Sequence, residues 1–320
     1  MKVIFMGTPD FAVSTLNAIV EAGHEVILVV TQPDKPKGRG KEMAFSDVKS
    51  WAIEHDLPVF QPVRIREEEA IAELRKYNAD IFVVAAFGQI LPKEILDMPR
   101  FGCINVHASL LPKYRGAAPI QWSILNGEET TGVTIMQMGV GLDDGDMLSV
   151  REVKIEADDT GGSLFDKLAV IGGELCVKTM MDIEEGKVIP VPQNEERATK
   201  VGMIKKELGF INFSKPAEVI ERYVRGLNPW PSAYTYYGGK TLKIWKAKVL
   251  SESELADKTE IAGINDRHPG EVVYASDKEV IVKTGVGYLC LLEIQLEGKK
   301  RMGIEDFLRG RKITQGEILG

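Results

Sequence analysis

Asn105 and His107 are the residues of this sequence whose types and spacing best suit catalysis. They end an apolar run, Cys103 to His107, that is predicted to form a β-strand. Because side chains alternate along a strand, both point to the same face. An amide and an imidazole placed side by side can both donate hydrogen bonds to one developing oxyanion. The alternative is that these two side chains only end the strand and hold the loop that follows.

A second polar segment, Gly139 to Asp146, clusters three carboxylates among three glycines. A calcium loop would need regularly spaced oxygen ligands and a distal bidentate Glu, and neither is evident. We expect the loop to bring one carboxylate onto the face of His107, where it would raise the pKa of the imidazole and fix its tautomer. An acidic hairpin turn is the alternative.

Alternating strands and helices must position these residues. The pattern predicts strands containing Val3, Val26, Ile81 and Ile104, and it makes the first of them part of a βαβ unit. The fold class is therefore α/β, with a Rossmann-like doubly wound parallel sheet. Ligands of such sheets bind beyond the carboxyl ends of the strands, where Asn105, His107 and the loop from Phe87 are expected. The turn after the first strand has a single glycine, which disfavours a dinucleotide cofactor.

Composition and charge limit the partners and the cellular compartment that can be expected. The chain has 320 residues and a net charge of −7, yet the part from residue 204 onward has 19 Lys and Arg against 16 Asp and Glu. That weakly basic part allows contact with nucleic acid. The three cysteines are widely spaced and fit a reducing cytoplasm, and Cys103 is expected to be a buried, inert thiol rather than a nucleophile. No apolar run is long enough to span a membrane.

Residues 33 to 43 form a Pro- and Gly-rich loop that carries Lys35, Lys37, Arg39 and Lys41. The loop is either a solvated surface segment or an arm that contacts phosphates. Further along, residues 190–206 are expected to link a first domain, 1–189, to a second, 207–320. The second domain has five short predicted strands after a helix, which suggests a small OB-like β-barrel.

These motifs together resemble the folate-dependent formyltransferases. The resemblance rests on Asn105-x-His107, on the segment from Ser109 to Gly116, and on Leu142-Asp143, which lies 38 positions after Asn105. Four further segments resemble the methionyl-tRNA branch of that family: Met6 to Phe11, Thr31 to Lys41, Arg115 to Trp122, and Asn228 to Pro231. The similarity covers essentially the whole chain, including the C-terminal domain.

The resemblance implies a function for each motif. Asn105, His107 and Asp143 would be the catalytic residues, with no metal. The folate co-substrate, 10-formyltetrahydrofolate, would be bound by two segments, which comprise Phe87, Gly88, Gln89, Ile90 and Leu91, and Ser109, Leu110, Leu111 and Pro112. The loop around Asp143 would help to hold the pterin.

The implied acceptor is the α-amino group of initiator methionyl-tRNA, so the product would serve translation initiation. Lys35, Lys37, Arg39 and Lys41 would contact the tRNA, with weaker candidates in Lys243, Lys246, Lys248, Arg309, Arg311 and Lys312. We expect a monomer that has no membrane partner. The alternatives are a formyltransferase acting on an amino sugar nucleotide, and a non-catalytic folate- or RNA-binding module.

Overall fold

A computed structural model describes residues 1–37, 42–256 and 267–320, and its chain divides into two compact units. The first unit comprises Met1–Ile120, Thr130–Lys154 and Leu164–Gly202, and the second comprises Gln121–Glu129, Ile155–Ser163 and Met203–Gly320. Within the described ranges, no helix is both long and apolar enough to cross a membrane.

The first unit is built on a twisted sheet. Its strands are, in chain order, β1 (Lys2–Gly7), β2 (Glu25–Val30), β3 (Lys35–Lys37), β4 (Glu42–Ala44), β5 (Val59–Phe60), β6 (Ile81–Ala85), β7 (Cys103–His107), β8 (Arg115–Gly116), β9 (Thr130–Gln137), β10 (Met147–Lys154) and β11 (Lys200–Val201). The main sheet has the order β10-β9-β7-β6-β1-β2-β5. From β7 to β5 the pairs are parallel, which confirms the predicted doubly wound sheet, while β9 and β10 extend it in antiparallel fashion.

The parallel strands are connected by α1 (Asp10–Glu21), α2 (Asp47–Glu54), α3 (Glu68–Leu74) and α4 (Lys93–Leu96). Further along the chain follow α5 (Pro119–Leu125), before the antiparallel strand β9, and α6 (Gly161–Glu184), after β10. The Ser46 side chain accepts a hydrogen bond from the Lys49 amide and caps α2. The predicted loop of residues 33 to 43 contains the short strands β3 and β4, which pair with each other.

The central strands are buried along their whole length. Ile4 and Met6 of β1 pack with Phe82 and Val84 of β6 in one core cluster. Strands covered on both faces are nearly continuous apolar runs, which explains why they were recognisable in the sequence. All five residues of β7 are likewise buried, so Asn105 and His107 lie where a polar group must find hydrogen-bond partners.

The second unit contains an antiparallel sheet. Its elements are α7 (Ala217–Gly226), β12 (Ala233–Tyr237), β13 (Lys240–Leu250), α8 (Glu252–Ala256), β14 (Val272–Ala275), β15 (Val280–Lys283), β16 (Tyr288–Leu296), β17 (Met302–Gly303) and α9 (Ile304–Gly310). The order is β12-β13-β16-β15-β14, with β17 also paired to β16. All five predicted strands are present, and α8, β17 and α9 are additions. The OB-like closure stays a prediction, because the observed order establishes a sheet and not a barrel.

Candidate active site

Strand β7 delivers the predicted pair at its carboxyl end. Asn105 lies opposite Val84 of the parallel strand β6, and His107 lies opposite Thr134 of the antiparallel strand β9. Both side chains are buried. The alternation of the strand thus places the amide and the imidazole on the same face, as the spacing predicts.

The loop after β9 brings Asp143 to this pair. The carboxylate atom Oδ2 lies 3.8 Å from Nδ1 of His107, and it accepts a hydrogen bond of 2.8 Å from the backbone amide of Gly116. Asp143 has a positive φ of 49°, a conformation in which Asp is one of the more frequent residues. The acidic segment therefore does more than reverse the chain, since one of its carboxylates faces the imidazole.

The other ring nitrogen of His107 is already engaged. Nε2 lies 3.0 Å from the backbone carbonyl oxygen of Tyr114. A carbonyl oxygen only accepts hydrogen bonds, so Nε2 must carry the hydrogen. The ring nitrogen of His107 that faces Asp143 is therefore Nδ1 without a hydrogen, unless the ring is protonated. In the neutral ring this atom is a proton acceptor, and in the imidazolium it is a donor.

Gln193, for which the sequence predicts no role, holds the loop of Asp143 in place. Gln193 donates from Nε2 to the carbonyl oxygens of Asp143, at 2.8 Å, and of Gly145, at 2.7 Å. Its Oε1 accepts a hydrogen bond of 3.0 Å from Nε of Arg115. One amide side chain therefore connects the loop of Asp143 to the segment that follows β7.

Arg115 is the buried centre of this network. Its side chain is only 3% exposed, and its guanidinium binds the Glu195 carboxylate through two hydrogen bonds of 2.6 and 3.0 Å. These hydrogen bonds lower the pKa of Glu195 and raise that of Arg115. A buried guanidinium needs such a partner, because desolvating an unpaired charge is costly.

Backbone pairing completes the connection. Strands β8 and β11 are parallel, with Arg115 opposite Lys200 and Gly116 opposite Val201. The Tyr114 amide donates to Oγ1 of Thr199 at 2.8 Å. Residues 199–201 of the predicted linker 190–206 thus pack against the segment from Tyr114 to Gly116 that follows β7.

The residues predicted to bind folate line the same end of the sheet, mostly through backbone groups. The carbonyl oxygen of Phe87 accepts hydrogen bonds from Gln32 at 2.9 Å and from Thr8 at 3.2 Å. The Gln89 side chain accepts from the Ile65 amide at 2.8 Å. Gly88 has a positive φ and Ile90 is exposed, whereas Phe87 and Leu91 are buried. Only Ile90 of these apolar side chains is free to contact a ligand extensively.

The second folate segment is a tight turn. The Ser109 hydroxyl donates to the carbonyl oxygen of Lys113 at 2.7 Å, and the Leu111 amide donates to Oγ1 of Thr134 at 3.2 Å. Ser109 and Leu111 are buried, while Leu110 and Pro112 are half-buried. The serine hydroxyl therefore stabilises the turn, and Leu110 and Pro112 are the side chains that remain accessible.

The predicted tRNA contacts are only partly described. Lys35 is exposed and donates to Oε1 of Gln32 at 2.8 Å. Lys37 belongs to β3, whereas Arg39 and Lys41 lie outside the described residues. In the second unit, Lys248 pairs with Glu254 and Arg309 with Asp306. The cations that are exposed there include Lys246, Arg311 and Lys312.

Cys103 behaves as the sequence predicts. It is buried, and desolvation raises the pKa of its thiol to about 12, so the nucleophilic thiolate is scarce at neutral pH. Among the residues that the structure describes, no group of three His, Cys, Asp or Glu side chains could hold a metal ion.

Comparison with known proteins identifies the class. A family model described as formyl transferase matches residues 1–180, and one described as the formyl transferase C-terminal domain matches residues 203–312. Similar solved structures include an N-formyltransferase from Helicobacter canadensis in complex with folinic acid and dTDP-3-aminofucose (TM-score 0.66, 18% identity, 94% of this chain and 100% of that chain). They also include HypX from Aquifex aeolicus in complex with tetrahydrofolic acid (TM-score 0.62, 18% identity, 99% and 50%). The fold and the family matches define a formyltransferase, an enzyme that moves a formyl group.

Closer relatives narrow the assignment. The methionyl-tRNA formyltransferase of Agathobacter rectalis is 59% identical over 318 residues, covering 99% of each chain. That of Clostridioides difficile is 49% identical over 320 residues, covering 100% of each chain. The chain belongs to the methionyl-tRNA formyltransferase family, which confirms the resemblance found in the sequence.

Proposed function

We propose that the protein transfers the formyl group of 10-formyltetrahydrofolate to the α-amino group of initiator methionyl-tRNA. The observation that carries the chemical part is the convergence of Asn105, His107 and Asp143 at the carboxyl end of β7. Full-length similarity to methionyl-tRNA formyltransferases supports the acceptor. The protein would act in the cytoplasm, as a monomer, with domains 1–189 and 207–320.

The reaction begins when the neutral amine attacks the formyl carbon. A C–N bond forms, and the carbonyl electrons move onto oxygen to give a tetrahedral oxyanion. The Asn105 amide donates a hydrogen bond to this oxyanion. Removing one such donor typically lowers the rate by about a hundred- to a thousandfold. No covalent intermediate with the enzyme is needed, since the amine is itself the nucleophile.

His107 moves the proton. Its Nδ1 accepts the proton that the attacking amine loses, and the resulting imidazolium can donate to the oxyanion or to the leaving nitrogen N10. Asp143, 3.8 Å away, stabilises the positive charge on the ring. Collapse of the oxyanion breaks the bond from carbon to N10, which takes the proton and leaves as tetrahydrofolate.

The co-substrate would bind against the Phe87 to Leu91 and Ser109 to Pro112 segments. Backbone groups, the exposed side chain of Ile90 and the half-buried side chains of Leu110 and Pro112 are the surfaces that these segments offer. The acceptor would be held by Lys35, Lys37, Arg39 and Lys41, with help from cations of the C-terminal part. Binding of tRNA should then weaken as salt rises, because phosphate contacts release counterions.

The test is formyl transfer from 10-formyltetrahydrofolate to methionyl-tRNA, compared with transfer to an amino sugar nucleotide. We expect transfer to the tRNA, and near-complete loss in His107→Ala. Transfer to the amino sugar alone would agree with the proposed catalytic residues but would show that the acceptor is an amino sugar nucleotide and not the tRNA. Folate or tRNA binding by the folded protein without transfer to either acceptor would indicate a binding module instead.

A further inference from the structure

The outward side of the sheet in the second unit carries exposed rings beside cations. We call this the aromatic face, and it consists of Phe210, Tyr234, Tyr236, Lys243, Trp245 and Arg301. Along β12, Ala233 and Thr235 are buried, so the alternating Tyr234 and Tyr236 point outward. On the neighbouring strand β13, Lys243 lies opposite Tyr234. The rings and the cations therefore share one continuous surface.

Three of the rings form a compact cluster. The centroid of Phe210 lies 5.8 Å from that of Tyr234 and 5.9 Å from that of Tyr236, and the two tyrosine rings are 6.2 Å apart. Phe210 and Tyr236 are nonetheless each 44% exposed. Such clustered, exposed aromatic area on a folded protein typically marks a binding surface.

The backbone is arranged to place Phe210 there. Phe210 forms a parallel bridge with Tyr234, and the amide of Ile211 donates to the Tyr234 carbonyl oxygen at 2.8 Å. A side chain on the preceding residue, Gly209, would collide with the carbonyl oxygen of Ser232. Glycine at this position lets the segment approach β12 closely enough to set the three rings together.

Cations flank a fourth ring. The Lys243 ammonium lies 5.4 Å from the Trp245 ring centroid, and the Arg301 guanidinium lies 4.7 Å from it. The Glu293 carboxylate accepts two 2.6 Å hydrogen bonds from Arg301. These bonds lower the pKa of Glu293, and nearby Lys246 lowers it further. Arg301 and Glu293 offset each other's charge, and Lys243 adds a positive charge beside the Trp245 ring.

We propose that the aromatic face binds RNA by stacking unpaired bases of the acceptor tRNA, with Lys243 contacting the phosphate backbone. This rests on the proposed function, which supplies a tRNA substrate. Rings that present a π-face beside cations suit unpaired nucleotides, because every base can stack and every nucleotide carries a charge.

The experiment measures binding of deacylated initiator tRNA to the full chain across a series of salt concentrations. Phe210→Leu and Tyr236→Leu keep the apolar volume and remove the π-face, so the fold is retained while stacking is lost. We expect each to weaken binding about tenfold at every salt concentration, with an unchanged slope of log affinity against log salt. Lys243→Met should instead reduce that slope by about 0.7 to 0.9.

Val286→Ala is the matched control, because Val286 is 68% exposed, lies in the same unit and is outside the aromatic face. It should change neither affinity nor slope. Unaltered tRNA binding by both leucine variants would overturn the proposal and would favour a protein partner for this surface. Formyl transfer by the wild type is measured in parallel. Failure of that reaction would count against the proposed function, whereas normal transfer with unaltered binding would count only against the aromatic face.

Discussion

The Gln193 side chain donates a 2.8 Å hydrogen bond to the backbone carbonyl oxygen of Asp143, a residue 50 positions earlier in the chain. The same amide group binds Gly145, and its oxygen binds Arg115. Because Gln193 holds the backbone on both sides of Asp144 and reaches the segment after β7, it fixes where the Asp143 carboxylate stands relative to His107.

Gln193→Met should therefore lower kcat about ten- to a hundredfold while KM for the folate changes little. A displacement of about 1 Å at a catalytic group can cost that much in rate. Steady-state kinetics at saturating methionyl-tRNA is the measurement. Gln193→Glu should be equally impaired, since a carboxylate would face two carbonyl oxygens. A Glu variant with wild-type kcat would show that the two donated hydrogen bonds are dispensable.

Asp143→Asn should reduce kcat by about a hundredfold or more. The amide has no negative charge and therefore cannot stabilise the imidazolium form of His107 as the carboxylate does. The pH profile of kcat should change together with its magnitude. Asp146→Asn is the matched control: the same substitution in the same loop, without a contact to His107. Comparable losses in both variants would mean that the loop is sensitive to any change, and that Asp143 has no special role.

The Arg115–Glu195 pair predicts a pH-dependent stability. Glu195 is 71% exposed while its partner is buried, and its pKa is lowered below the ordinary value of 4.5, chiefly by the hydrogen bonds from Arg115. A carboxyl group whose pKa is lower in the folded state than in the unfolded state stabilises the fold at pH values above its unfolded-state pKa. This contribution is lost as the pH falls through the folded-state pKa.

Glu195→Gln should accordingly unfold at lower urea than the wild type at pH 7, and the gap should narrow below about pH 4. Chemical denaturation monitored by circular dichroism provides the comparison. Glu196→Gln, one position along the chain, controls for a general effect of removing a negative charge. If the gap stays constant from pH 7 to pH 3, ionisation of Glu195 does not contribute to stability.

Gly116→Ala should destabilise the protein and reduce turnover. Gly116 has a φ of 104°, and an added Cβ would meet the carbonyl oxygen of Val201 on β11. Its amide also binds Asp143. Gly186→Ala is the control that measures backbone strain without a steric clash, because Gly186 also has a positive φ, 67°, but has open space around it. That control should cost about 1 kcal/mol, whereas Gly116→Ala should cost clearly more. Equal costs would exclude the close approach of β8 and β11 as the cause.

Cys103 should resist alkylation in the folded protein. Its thiol pKa of about 12 leaves almost no thiolate at pH 8. Incubation with iodoacetamide, followed by mass spectrometry and an activity assay, should find Cys103 unmodified and transfer unchanged. The same treatment in denaturant should modify it. Rapid modification of native protein with loss of activity would restore Cys103 as a candidate nucleophile.

The sequence determined the parts of this protein that depend on local pattern. Buried strands such as β1 and β6 are continuous apolar runs, so their positions could be predicted from hydrophobicity alone. The alternation of β7 placed Asn105 and His107 on one face for the same reason. Glycines and carboxylates identified the loop of Asp143, although its approach to His107 was an inference from chemistry.

The tertiary structure decided the contacts between distant segments. Arg115 contacts Gln193, 78 positions later in the chain. Lys200 and Val201, in the segment that composition indicated as a linker, pair with Arg115 and Gly116 through β11 and β8. The hydrogen bond from Nε2 of His107 to Tyr114, which leaves Nδ1 on the side of Asp143, was equally beyond prediction. Polar segments have no periodic pattern in the sequence. Their contacts depend on which buried hydrogen-bond donors and acceptors lack a partner once the rest of the chain has folded.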